Sequence, residues 1–283
     1  MSEVRSPTVR RRELGALLRG LRLDRGMTVD QVAEQLLCSP SKVSRMETGQ
    51  RGATLRDIRD LCDLYSVSDE DERERLMDLA REGKRQGWWQ SYALPYTTYV
   101  GLEQEAASLK IYQSATVPGL LQTASYTRAI HKVGIIRLPD EVIEERVNER
   151  RARQQRLTGT NPPEVEIILD EAVLHRPVGG PSAMREQLDR IAAVAEYPNV
   201  TLQVLPFNIG AHPAMESDFT ILAFESQAAT VVYVEGLSGY MYLERPADIV
   251  RYDEVFGRLR ATAFTPGDSV DMIAKIRETH GTS

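Results

Sequence analysis

Residues 39–49 place cationic and hydroxyl side chains along the outer side of a short predicted helix. Lys42 and Arg45 are three positions apart, and Ser41 and Ser44 lie beside them. Such side chains can donate hydrogen bonds to base edges and to phosphate oxygens. The chemistry that they indicate is contact between one helix and the major groove of DNA, which is wide enough to admit an α-helix.

Two short helices joined by a tight turn are predicted to hold these side chains. Thr28, with Gln31 three positions later, has the spacing of a capping box at the start of the first helix. Ser39 followed by Pro40 is typical of the start of the second helix, and Gly49 is typical of its end. Two apolar residues of the second helix are expected to face inward, Val43 and Met46. The alternative is a helical bundle that binds no DNA.

Further helices are predicted on both sides of this pair. Leucines at helical spacing form a stripe upstream that Gly26 ends: Leu14, Leu17, Leu18 and Leu21. Thr54 caps a helix downstream, and Ser68 and Asp71 cap a fifth helix from about Asp69 to Arg85. Residues 1–85 are therefore expected to form a five-helix domain.

The charge is unevenly distributed along the 283 residues, which suffice for two domains. Residues 1–67 carry 12 Lys and Arg against 9 Asp and Glu, a net charge of +3, whereas residues 68–283 carry a net charge of −9. Two cysteines argue against a disulfide framework or a zinc site, and the four histidines are scattered, so we expect no metal and no cofactor. No apolar run is long enough to cross a bilayer. We therefore expect a cytoplasmic protein that does not bind membranes.

Residues 86–95 are interpreted as a linker, and residues 96–283 as an α+β domain with a small sheet. Its start, from Thr98 to His131, has a helical pattern broken at Val117-Pro118-Gly119, and a long helix should follow from Asp140 to Leu157. Runs rich in β-branched residues predict four strands: Val165–Leu169, Val200–Leu205, Phe219–Phe224 and Thr230–Val234. Three more helices are expected, at about Ser182–Glu196, Pro246–Thr262 and Gly267–Thr279.

The second domain contains three groups of candidate site residues. Arg146, Arg150 and Arg153 share one face of a helix; we interpret them as a solvated face paired with Glu145 and Glu149, the alternative being a stripe that binds an anion or a partner. Tyr112 and Gln122 could line a pocket or an interface with that stripe. Asp170 and Glu171 with His175 could form an acid/base cluster, although a hydrogen-bonded loop is the simpler interpretation. No convincing catalytic constellation is present, so we do not expect an enzyme.

The helix pair resembles the helix-turn-helix of the Xre family, which includes phage Cro and repressor proteins. The matching segments are Gly26-Met27-Thr28, Val32-Ala33-Glu34, Ser39 and Ser44–Gly49. The chain departs from the family pattern in having Val29 where Gln is frequent and Leu37 where Gly is usual. The resemblance implies base contacts by Pro40, Ser41 and Arg45, whose guanidinium fork matches guanine O6 and N7. With Thr28, Lys42, Ser44, Arg51 and Thr54, these residues are our candidates for DNA binding, and Lys42, Arg51 and Thr54 suit phosphates.

Residues 96–260 resemble the C-terminal domain of the WhiJ-like class of actinobacterial Xre-type regulators. The segments that carry the resemblance include Val117–Thr123, Arg146-Val147, Asp170–Leu174, Pro177–Gly180, Pro198–Val200, Val204–Pro206, Gly210–His212 and Tyr233-x-Glu235. It implies an accessory domain without enzymatic activity, in regulators often encoded beside a small partner protein.

These observations predict a sequence-specific transcriptional regulator, a homodimer on palindromic double-stranded operator DNA, whose C-terminal domain senses a ligand or a small partner protein. The alternative is an antitoxin-like protein that sequesters a small partner encoded nearby and represses its own operon. A DNA-linked enzyme using Asp170, Glu171 and His175 is a third, less favoured interpretation.

Overall fold

The computed structural model describes residues 6–92, 94–225 and 230–280. The described residues fall into two compact units. The first runs to Glu105 and includes Phe224 and Glu225, and the second comprises the rest. The segment 86–95, interpreted above as a linker, therefore lies within the first unit.

The described part of the first unit contains six α-helices. They are α1 (Pro7–Asp24), α2 (Val29–Gln35), α3 (Pro40–Glu47), α4 (Leu55–Leu64), α5 (Glu70–Glu82) and α6 (Thr97–Glu103). The five helices expected from the first 85 residues are present. The predicted caps of α5, Ser68 and Asp71, were wrong, because Asp69 is its N-cap and accepts the Asp71 N–H. The helix ends at Glu82.

The core of the first unit is formed by the apolar faces of α1 to α5. Its fully buried members include Leu18, Val32, Val43, Ile58 and Leu61. Helix α1 crosses the C-terminal end of α3 so closely that a Cβ on Gly15 would lie 2.5 Å from the carbonyl oxygen of Glu47. Glycine at position 15 therefore permits the approach of α1 to the helix that carries the candidate base contacts.

A mixed six-stranded sheet organises the second unit, which confirms the α+β class. The strands are β1 (Ser108–Gln113), β2 (Glu164–Asp170), β3 (Val200–Leu205), β4 (Phe219–Ala223), β5 (Val231–Gly236) and β6 (Gly239–Leu243). Their order is β3-β2-β1-β4-β5-β6. Strands β1, β2 and β3 are parallel, and β4, β5 and β6 are antiparallel. The four predicted strands correspond to β2, β3, β4 and β5.

Two of these strands, β1 and β6, were not predicted from the sequence. Strand β1 lies in the middle of the stretch from Thr98 to His131, where the helical prediction is wrong although it holds at both ends. The strand pairs with β2 on one side and β4 on the other. Its first four residues, 108–111, alternate between polar and apolar, which favours a strand; the helical prediction overlooked this short signal. Strand β6 follows the two-residue turn Leu237-Ser238 and forms a hairpin with β5.

Six α-helices accompany the sheet in the described part of this unit. They are α7 (Ala124–Lys132), α8 (Asp140–Gln154), α9 (Glu171–His175), α10 (Pro181–Ala195), α11 (Pro246–Thr262) and α12 (Pro266–Thr279). Phe256 and Leu259 of α11 pack against Tyr112, Phe219 and Val232 of the sheet. Across the described residues of both units, no helix is long and apolar enough to span a membrane.

Candidate nucleic-acid interface

Side-chain caps fix the two helices at the centre of the first unit. Thr28 Oγ1 accepts the Gln31 N–H at 3.2 Å, and Gln31 Oε1 accepts the Thr28 N–H at 2.8 Å. Ser39 Oγ accepts the Lys42 N–H at 3.2 Å. The capping box and the capped start of α3 expected from the sequence are both present, so local chemistry sets the ends of these helices.

The turn between α2 and α3 contains a strained residue. Leu37 has a φ of 49° and is 94% exposed. A side chain in the left-handed region costs about 1–2 kcal/mol, and this leucine recovers little of that cost through burial. Leu37, at the position where the Xre pattern usually has glycine, therefore strains the turn and leaves its own side chain in solvent.

Helix α3 has one buried and one exposed face. Val43 and Met46 are at most 2% exposed, as the sequence predicted. The residues implied to contact bases, Pro40, Ser41 and Arg45, are all exposed, and so is Ser44 beside them. Arg45 Nε donates to the Ser41 carbonyl at 3.1 Å, so its side chain runs back along the helix surface toward the N-terminal turn. The polar face of α3 is thus available to a ligand approaching from solvent.

An ion pair that the sequence reasoning missed anchors the C-terminal end of α3. Arg22 of α1 contacts Glu47 through Nε–Oε1 at 2.6 Å and Nη2–Oε2 at 2.9 Å, and its Nη1 donates to the Met27 carbonyl at 2.7 Å. Both side chains of the pair are less than 10% exposed. This pair links α1, α3 and the start of the α2 region, and so fixes the orientation of the exposed face of α3.

Two of the three candidate phosphate contacts meet at a carboxylate. Lys42 Nζ lies 2.6 Å from Asp57 Oδ1, and Thr54 donates to Asp57 Oδ2 from both its N–H and its hydroxyl. Burial acts to raise the pKa of Asp57, but the hydrogen bonds from Lys42 and Thr54 outweigh it and hold the pKa below its usual range. The third candidate, Arg51, is exposed. Asp57 itself was not singled out from the sequence.

The arginine stripe of α8 points inward, so its interpretation as a solvated face was wrong, whereas the expected pairing with Glu149 is present. Arg146 and Arg153 are 7% and 4% exposed, and Glu149 is fully buried. Glu149 accepts from Arg150 at 2.7 Å and from Arg153 at 3.1 Å. The carboxylate satisfies buried guanidinium donors, which explains why charged side chains at this spacing point inward.

Gln122 joins the same cluster. Its Oε1 lies 3.4 Å from Arg150 Nε and accepts from the Thr127 hydroxyl, and its amide donates to the Val117 carbonyl. The structure therefore brings Gln122 and the arginines together. Burial, with Arg150 and Arg146 adding to it, lowers the pKa of the neighbouring His131 to about 4.

Tyr112 contacts a histidine and lies near a carboxylate. Tyr112 is fully buried in the sheet, with its hydroxyl 3.5 Å from His212 Nε2, and that nitrogen is 3.8 Å from Asp170 Oδ2. Burial raises the pKa of Tyr112, and Asp170 adds to this effect. His212 was not expected at this position, since it lies 42 positions away from Asp170 in the sequence.

Asp170, Glu171 and His175 take part in local hydrogen bonds. Asp170 caps α9 through the Ala172 N–H. Glu171 accepts from the Phe207 N–H at 2.8 Å and lies 3.1 Å from His175 Nε2. These contacts fit the hydrogen-bonded loop considered above. Within the described ranges, no group of three or more His, Cys, Asp or Glu could hold a metal ion.

Comparisons with known proteins cover both units. Residues 13–76 match a family described as a helix-turn-helix domain, and residues 96–275 match one described as a domain of unknown function, DUF5753. Searches of curated proteins and of solved structures found no match. The first match spans α2, its turn and α3, the elements that expose Ser41, Ser44 and Arg45. The chain therefore belongs to the DUF5753 family, with a helix-turn-helix domain preceding the family domain.

Proposed function

We propose that this protein is a sequence-specific, DNA-binding regulator of transcription. The observation that supports this most strongly is the exposed face of α3, where Ser41, Ser44 and Arg45 project from a helix anchored by Val43 and Met46. A helix with one packed face and a short polar outer face suits insertion into the major groove.

The charge distribution supports the same proposal. The net charge of +3 in residues 1–67 contrasts with −9 in the remainder, so only one part of the chain would be attracted to phosphates. A single helix-turn-helix domain with few cations would bind DNA weakly. We therefore propose a homodimer that binds palindromic operators whose half-sites are about 34–36 Å apart, as helix-turn-helix dimers generally do.

The second unit is proposed to receive the regulatory signal, a small ligand or a small partner protein. We assign it no catalytic role, because the acid/base candidates Asp170, Glu171 and His175 are engaged in local hydrogen bonds. The assignments to Xre-type and WhiJ-like regulators, and to action at the nucleoid in the cytoplasm, are parts of this proposal.

The DNA-binding proposal is tested by fluorescence anisotropy of the full chain on two duplexes, at two salt concentrations. One duplex is selected from a random pool by binding, and the other is its scrambled sequence. Arg45→Ala should weaken binding to the selected duplex by about 1–3 kcal/mol and relax base preference. Arg81→Ala removes an arginine of α5 that pairs with Glu74 and Asp78, and should leave both affinities unchanged. Equal affinity of the unmodified protein for both duplexes would contradict specific regulation.

One observation favours the antitoxin-like alternative, in which the second unit mainly holds a partner protein. The connection between α7 and α8 exposes three large aliphatic side chains, with Val133, Ile135 and Ile136 between 79% and 93% exposed. Contiguous exposed apolar groups often mark protein–protein contacts. Co-expression with the product of the adjacent gene should then yield a stoichiometric complex that Ile135→Asp disrupts. Separate elution of the two proteins would reject this candidate.

A further inference from the structure

The carboxylate of Asp57 connects the first turns of two helices. Its Oδ1 lies 2.6 Å from Lys42 Nζ on α3. Its Oδ2 accepts the Thr54 N–H at 2.9 Å and the Thr54 hydroxyl at 2.8 Å at the start of α4. One negative charge thus completes the cap of α4 and neutralises the cation nearest the N-terminus of α3.

Partial burial makes this ion pair more persistent than an ordinary surface pair. The side chains of Lys42 and Asp57 are 24% and 13% exposed, whereas those of Arg56 and Asp60 on α4 are 86% and 50% exposed. Reduced solvent screening strengthens the attraction between the first two. The first turn of α4 also favours an anion, and the first turn of α3 disfavours a cation. Both helix dipoles therefore favour the negative charge of Asp57, which lies at the first turns of α3 and α4 and attracts Lys42.

We propose that Asp57 limits the affinity of the helix-turn-helix domain for DNA of any sequence, by withholding Lys42 from phosphate. The inference rests on the DNA-binding function proposed above and identifies a residue that regulates it. Phosphate contacts supply essentially all of the affinity of non-specific complexes. Because a genome offers a large excess of non-operator sites, neutralising one cation reduces the fraction of protein held on them.

The test measures binding of the full chain to a scrambled duplex across a range of salt concentrations. Asp57→Asn removes the charge but keeps an amide oxygen that can accept from Thr54. Lys42 then becomes available to phosphate, and the slope of log affinity against log salt should steepen by about 0.9. If the two proteins bind equally at 1 M salt, this difference in slope makes Asp57→Asn bind about eightfold more tightly than the unmodified protein at 0.1 M salt. Circular dichroism checks that the variant retains its helices.

Two further variants separate this effect from a general change in charge. Asp63→Asn makes the same substitution at the other end of α4, where the carboxylate pairs with Arg73 of α5, and should leave the slope unchanged. When Lys42 is already replaced by Met, the further substitution Asp57→Asn should no longer steepen the slope.

Each outcome supports or overturns the inference. An unchanged slope in Asp57→Asn overturns it, as does equal steepening in Asp63→Asn or steepening that persists without Lys42. If the unmodified protein binds the selected duplex specifically in these experiments, the DNA-binding function survives that failure. If the unmodified protein binds no duplex at any salt concentration, the proposed function fails and the role of Asp57 fails with it.

Discussion

Arg22 of α1 and Glu47 of α3 form a two-point ion pair, with 2.6 Å between Nε and Oε1 and 2.9 Å between Nη2 and Oε2. The pair is nearly excluded from solvent and lies at the end of α3 opposite the Lys42–Asp57 contact. The two ion pairs therefore hold the exposed helix at both ends, one against α1 and the other against α4.

Removing Arg22 should destabilise the first unit strongly, because the Glu47 carboxylate would remain buried without its main partner. Arg22→Met is expected to cost about 3 kcal/mol, whereas Arg56→Met, which breaks an exposed pair with Asp60, should cost less than about 1 kcal/mol. Both tryptophans of the chain belong to the first unit, so their fluorescence during urea unfolding reports its stability.

The double variant Arg22→Met with Glu47→Leu checks the cause of that loss. Replacing both charges by apolar groups removes the uncompensated carboxylate and should recover much of the stability. If the double variant is no more stable than Arg22→Met, the unpaired Glu47 carboxylate does not cause the loss of stability.

Leu37→Gly should stabilise the first unit by about 1 kcal/mol, because glycine adopts a positive φ without steric cost. The leucine side chain is 94% exposed, so little packing is lost. Leu23→Gly, a change at an exposed leucine in the last turn of α1, should instead destabilise by less than about 1 kcal/mol. The midpoint of urea unfolding measures both effects, and a loss of stability in Leu37→Gly would show that the side chain has another role.

Asp57 should contribute stability that is lost in acid. Burial alone would raise its pKa, but hydrogen bonds from Lys42 and Thr54 lower it overall, so the folded state binds this proton more weakly than the unfolded state. The contribution is therefore complete above the unfolded pKa of about 4 and disappears as the pH falls through the folded value. Below pH ~4 the unfolding midpoint of the first unit should fall more steeply in the unmodified protein than in Asp57→Asn. Lys42→Met should reduce this difference.

His131 should remain neutral well below the usual range of histidine. Burial first, and then Arg150 and Arg146, lower its pKa from 6.5 to about 4. Because the unfolded chain binds this proton first, stability falls as the pH drops from 6.5 to about 4 and is constant with respect to this group below that. In an NMR titration of the imidazole C–H signals, the resonance missing from His131→Asn should have its midpoint near 4. A midpoint near 6.5 would contradict the buried cationic environment.

Local signals in the sequence accounted for most of the helix–turn–helix. Thr28, Ser39 and Thr54 cap the helices they were expected to cap, because a cap depends on residues within one turn. The buried Val43 and exposed Arg45 follow from the helical period alone. Asp57 was missed as a partner of Lys42, because the two residues are 15 positions apart and lie on different helices.

In the second unit the same reasoning found the strands that are rich in β-branched residues and missed β1. The alternating polarity of residues 108–111 favours a strand, but it was overlooked within a longer stretch of helical pattern; pairing with β2 and β4 fixes β1. The buried arginines of α8 were misjudged for a different reason. Charged residues at helical spacing normally face solvent, and the Glu149 carboxylate compensates the inward orientation of Arg150 and Arg153.

Sequence by itself determined where the helices of the first unit begin, which faces they bury, and which polar side chains α3 exposes, since caps and periodicity act over a few residues. Tertiary structure alone decided that Arg22 meets Glu47 and that Lys42 meets Asp57. It also decided that the pairing of the α8 arginines with Glu149, which was expected from their spacing, is buried. The interaction of two charges depends on their separation and on how much water lies between them, and both quantities are set by packing between elements distant in the chain.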